Sequence, residues 1–167
     1  ERLLGKTSKL GDLALAVEVN GQMPKGRNIT GSIKGNIQEF NYNNYTFKNI
    51  QIDGLYNERA IDAIVQYTDP KNGALSVNFG LERESEGFEM NLDARADTIR
   101  LHDMKLVAGM ENVMFSTRVL SHLTGKGIDD IEGFLTIEPV HIITSKDSLS
   151  IPQIDIKSEK TGNRQRV

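Results

Sequence analysis

Apolar and polar residues alternate along most of the chain. The alternation runs through Leu13, Leu15, Val17 and Val19, then Ile29, Gly31, Ile33, Gly35 and Ile37. It resumes in Ile50 to Tyr56, in Ile61 to Tyr67, in Leu75 to Leu81, and in Phe88 to Ala96. A period of two puts each set on one face of a β-strand. The pattern therefore predicts a sheet with one apolar and one polar face. Turn residues divide the stretches: Asn20-Gly21, Asn43-Asn44, Asn57-Glu58, Asp69-Pro70-Lys71-Asn72-Gly73 and Glu84-Ser85-Glu86-Gly87. Connections this short imply an antiparallel meander in which each strand pairs with its predecessor.

From Arg100 to Gly133 the pattern weakens. Leu106 to Met110 is the one helix-prone interval, and it lacks a cap. Val113 to Leu123 reads as a further strand with Phe115, Thr117, Val119 and Leu123 on one side. Alternation returns in Leu135 and Ile137, and in Leu149, Ile151, Ile154 and Ile156 around Pro152. Residues 1–157 thus read as a single repetitive β segment of a longer protein, and 158–167 as a polar, disordered tail. Glycines recur on the same parity as the apolar residues, and glycine inside a strand marks a bend or close approach. The expected fold class is all-β, an antiparallel meander curled into an open trough with little helix.

Composition sharpens this reading. Hydrophobic residues make up 38% of the chain, with no Trp, so large side chains that could cover the apolar face are scarce. The net charge of −3 comes from interspersed acids and bases, which leaves no basic stripe for nucleic acid. Cysteine is absent, and no run approaches the ~18 apolar residues of a membrane-spanning helix.

Candidate chemistry is sparse. His102, His122 and His141 are far apart and lack metal-ligand spacing, so they read as solvated histidines. Asp129, Asp130 and Glu132 miss the EF-hand pattern and suit a turn. There is no Gly-x-Ser-x-Gly elbow and no phosphate-loop spacing around Gly5-Lys6 or Gly125-Lys126. Glu82, Glu84 and Glu86 share one wet face. No nucleophile, base and orienting group come together, so the expectation is a protein without catalytic residues, metal or cofactor. Phe40, Tyr42, Tyr45 and Phe47 flank a turn and are expected to pair across strands.

The passage GSIKGNIQEFNYNNYTFKNIQIDGLYNERAIDAIVQYTDPKNGALSVNFGLE, Gly31 to Glu82, resembles the repetitive β region of TamB-like proteins of the Bacteroidetes type. The resemblance lies in an Ile-x-Gly strand, then Phe-x-Tyr and Tyr-x-Phe-x-Asn-Ile, a Gly-x-Tyr strand, and Asp-Pro-x-x-Gly before another alternating strand. LTGKGIDDIEGFLTI, Leu123 to Ile137, resembles a second element of that region. The resemblance implies a long periplasmic protein of the AsmA superfamily, anchored to the inner membrane through a segment absent from this chain. It also implies an apolar β trough (a β-taco) acting in phospholipid transport and outer-membrane protein assembly. Implied partners are phospholipid acyl chains or unfolded outer-membrane protein strands, with the outer-membrane assembly machinery engaged through other regions. The family's C-terminal domain is also absent.

Alternation alone also suits a closed lipocalin-like barrel with one small ligand, or a β-sandwich adhesin or carbohydrate-binding module. A trough would be lined by Leu15, Val17, Ile33, Ile52, Val65, Val77, Phe79, Met90 and Leu92.

Overall fold

The computed structural model describes residues 10–22, 29–106, 111–127, 130–161 and 164–166. Its strands are β1 Leu10–Gln22, β2 Thr30–Tyr42, β3 Tyr45–Asn57, β4 Ala60–Asp69, β5 Gly73–Glu84 and β6 Gly87–Ile99, followed by β7 Met114–Gly125, β8 Ile131–Ile137, β9 Val140–Ile143, β10 Ser148–Ile151, β11 Ile154–Thr161 and β12 Arg164–Arg166. They form one 12-stranded antiparallel sheet in chain order. Strand accounts for 77% of the structure and helix for 1%, and the sheet is open, not closed into a barrel. The meander expected from the short turns is what forms, and the closed barrel and the two-sheet sandwich are not.

One departure from simple order is only apparent. β8 pairs with β11 and β9 with β10, while β7 carries both β8 and β9 along its length. The register that pairs Ile137 with Ile154 also pairs Val140 with Ile151, so Pro139 stands opposite Pro152. Neither proline has an N–H to give the ladder. β8–β9 and β10–β11 are therefore two long strands of one hairpin, interrupted at a facing proline pair. The expected disordered tail is also different in the structure: β11 continues to Thr161 and pairs with β12.

Asparagine shapes the tightest turn. Asn43 and Asn44 adopt φ of 52° and 64°, as a two-residue type I′ hairpin requires. The turn places Tyr42 opposite Tyr45 and Phe40 opposite Phe47, with the Phe40 and Phe47 rings 5.9 Å apart. The expected cross-strand aromatic pairing is present.

Two left-handed residues inside strands reset the alternation. Asn49 has φ 56° in β3 and Thr98 has φ 50° in β6, and the β6–β7 register shifts between Ala96 and Ile99. As a result Phe47 and Ile50 join one cluster, as do Ala96 and Ile99, although the members of each pair are three positions apart and so of unlike parity. The buried centre is Tyr67, Ile99 and Met104, flanked by Tyr45, Phe47, Ile50, Ala96, Leu101 and Phe115. Residues 100–106 strap this end. Arg100 N donates to Asn72 O, Met104 N to Arg100 O, and the Asn43 amide reaches the Lys105 carbonyl from the hairpin tip. Of the expected helix-prone interval, residues 107–110 lie outside the described residues.

Asp69 ties the cluster to its turn. Its carboxylate accepts the Lys71 and Asn72 backbone N–H groups at 2.7 and 3.1 Å, the Tyr45 hydroxyl at 2.6 Å and the Asn72 amide at 3.2 Å. Burial works against the charged form, but these donors hold the carboxyl down at about 2. Burial pushes the Tyr67 phenol up, reinforced by Tyr45 and Asp69. A depressed carboxyl contributes stability that is fully present above its ordinary value of 3.8 and is lost as pH falls toward about 2. Asp69→Ala should therefore cost on the order of 2 kcal/mol near neutral pH. It should also remove much of the acid-side loss of stability in that window, as read by urea titrations of parent and variant across pH.

Candidate functional site

The site is a face, and register builds it. Antiparallel pairing brings residues of equal parity opposite one another, so each alternating set continues across the next strand. One row runs Val17, Gly35, Ile52, Val65, Val77, Ala94, Val119, Ile137 and Ile154. The row beside it runs Val19, Ile33, Gly54, Ala63, Phe79, Leu92, Ser121, Leu135 and Ile156. A third carries Tyr56, Ile61, Leu81, Met90 and Leu123. At about 4.8 Å per strand step the apolar surface is roughly 38 Å wide.

The lining residues expected from the sequence are brought together on this face. Val17, Ile52, Val65 and Val77 share the first row, Ile33, Phe79 and Leu92 the second, and Met90 stands in the third. Leu15 pairs with Ile37 through its backbone, while its side chain lies outside the described residues. The sequence list missed Val119, Leu135, Ile137, Ile154 and Ile156, which extend the face over β7, β8 and β11. Their own alternation was the available signal. Pairing across the interrupted hairpin, which puts them in the same rows, is not a local property.

Little covers this face. No large side chain is fully buried among the described residues, and Val19 is 60% exposed, Val17 46%, Ile61 46% and Ile154 44%. The inner positions Ile52, Val65, Val77, Phe79 and Leu92 are half-buried by their neighbours in the rows. The one hydroxyl in the second row is internally satisfied: Ser121 Oγ donates to the Phe134 carbonyl at 3.1 Å. The aromatic cluster around Tyr67 closes one end of the strands, so the apolar surface has an end wall. At the opposite end of the strands Gly31 permits a close approach, since a Cβ there would run into the Tyr56 ring that lies across from it.

The other face carries the charge. Arg118 forms a two-pronged pair with Asp93, both contacts at 2.7 Å, and reaches Glu138 at 3.3 Å. Hydrogen bonding from Arg118 holds the Asp93 carboxyl below its ordinary value. This face is not wholly polar: Ile64 and Phe134 border a shallow depression of about 550 Å³ over Gly80, which also takes in Asp62, Asn91 and His122.

The histidines are dispersed. His122 Nδ1 lies 2.8 Å from Asn91 Oδ1 on the polar face, His141 is exposed on β9, and His102 sits in the strap with its Nδ1 buried. Among the described residues no three His, Cys, Asp or Glu side chains are grouped to hold a metal ion, and Asp129 lies outside them. No helix is long and apolar enough to cross a membrane among these residues.

Compared with protein-family models, with curated proteins and with solved structures, the chain matches none.

Openness makes a mutational statement. A charge placed in a sealed core costs several kcal/mol, and far less where water reaches it. Val77→Asp, at the centre of the first row, is expected to fold with a melting temperature a few degrees below the parent. It should also reduce fluorescence of a hydrophobic dye bound to the face. Loss of the folded strand spectrum would mean the position is enclosed.

Proposed function

We propose that the chain is a non-enzymatic segment of a periplasmic, TamB-like protein of the AsmA superfamily, and that its apolar sheet face carries phospholipid acyl chains between membranes. The observation that carries this reading is the continuous, uncovered apolar face built in register across the sheet. An uncovered apolar surface larger than a few hundred Å² marks a contact site in a water-exposed protein.

The chemistry of a face favours acyl chains over unfolded protein strands. A strand brings unpaired N–H and C=O groups that need partners when they leave water. The middle of a sheet has already used its own backbone groups in the ladder and offers only side chains. An acyl chain needs no hydrogen bonds and gains about 0.8 kcal/mol per buried methylene. A strand cargo would instead be recruited by a sheet edge. In this reading the segment is held at the inner membrane by parts of a longer protein, and any engagement of the outer-membrane assembly machinery lies in those parts.

A photo-crosslinking phenylalanine analogue at Phe79, on the apolar face, is expected to form adducts with phospholipid when the protein is incubated with vesicles. The same analogue at Asn78, whose side chain faces the other way, should form none. Absence of lipid adducts at Phe79, or equal yields at both sites, would overturn the proposal.

A further inference from the structure

Two arginines stand side by side at the edge of the apolar face. The β4–β5 register pairs Ile61 with Leu81 and Ala60 with Glu82, and one step further it places Arg59 opposite Arg83. Arg83 N donates to Arg59 O at 2.5 Å, continuing the ladder to that position. Parity puts Arg83 on the same side as Leu81, Phe79 and Val77, and directly across from Phe88. Like charges directly opposite each other destabilise a sheet. Neither arginine forms an ion pair among the described residues, although Glu58, Glu82, Glu84 and Glu86 line the same depression. The neighbouring Glu82 takes the opposite parity, paired with Glu89, and Glu86 is engaged by Lys126.

The position of the pair gives it meaning. Along β5 the apolar positions run from Leu75, beside the aromatic end wall, to Leu81, and Arg83 follows. That apolar stretch is about 20 Å long at ~3.3 Å per residue, ample for an acyl chain that fills one leaflet of a ~30 Å hydrocarbon core. A lipid laid along it would have its tail against the wall and its head at the arginines. Guanidinium forks match phosphate oxygens in two-pronged pairs, and a bound phosphate would turn a repulsive pair into a bridged one.

We propose that Arg59 and Arg83 together bind the phosphate head of an acyl lipid whose tail lies along Leu81, Phe79 and Val77. This rests on the acyl-chain reading of the face. It adds a head-group site and a direction to that reading.

The test uses the 167-residue chain and the double variant R59Q/R83Q, with lysophosphatidic acid and the monoacylglycerol of the same acyl chain as probes. Both lipids are kept below micelle-forming concentrations, and binding is read by displacement of a hydrophobic dye. The parent is expected to bind the phosphate-headed lipid about tenfold or more tightly than the neutral one. In the double variant the two affinities should converge, with the neutral lipid and the dye bound as before. Without lipid, the variant should melt at or above the parent temperature, because a like-charge pair has been removed. A phosphate preference that survives the double substitution, or a variant that melts lower, would overturn the head-group site while leaving the acyl face intact. Failure of both lipids to displace the dye would overturn the site together with the acyl reading on which it rests.

Discussion

Everything in this structure depends on the antiparallel ladder keeping its register. The chain has almost no buried core: Tyr67, Ile99 and Met104 are its only buried hydrophobic residues among those described. In most domains a packed interior selects the fold, but here the backbone hydrogen bonds and cross-strand side-chain pairs must do so. Because side chains alternate with a period of two, a slip of one residue in any strand would move its apolar set to the charged face. The turns prevent that slip. Asn43-Asn44 sets one register with left-handed residues, and Asp69 sets another by taking up the Lys71 and Asn72 N–H groups.

The aromatic end does a different task. An open sheet leaves its strand ends unsupported, and this one concentrates its large side chains at a single end. Asn49 and Thr98 allow apolar residues of unlike parity to converge there, while the strap over 100–106 brings Met104 onto them. The hydroxyls of Tyr45 and Tyr67 stand 3.1 Å apart above the Asp69 carboxylate, so the polar tips of a mostly apolar cluster are satisfied from one turn. The consequence for function is asymmetry. One end of the apolar rows is walled, and the other ends in charge.

Much of this was legible in the amino-acid order. Alternation identified the strands through Ala96, turn chemistry identified the meander, and the Phe40, Tyr42, Tyr45 and Phe47 spacing identified the cross-strand aromatic pairs. The lining residues from Val17 to Leu92 were legible for the same reason, since parity within a strand becomes a face once neighbours pair in sequence. What was hidden is non-local or depends on one backbone angle. Nothing in the residues around Asn49 or Thr98 announces a left-handed conformation inside a strand. Pro139 and Pro152 look like two separate strand breakers until the register sets them opposite each other. Arg59 and Arg83 look like members of mixed-charge turns until the ladder makes them neighbours.

The central claim is that the apolar face stands open in the free protein and is filled by acyl chains. The chain has no cysteine, so a single engineered thiol can carry a spin label without background. A label at Val65→Cys, in the first row, should be accessible to a water-soluble paramagnetic quencher in the free protein. It should become shielded when phospholipid is added, while a label at Asn78→Cys on the charged face stays accessible throughout. A label at residue 65 that is already shielded in the free protein, or that phospholipid leaves unchanged, would contradict the account.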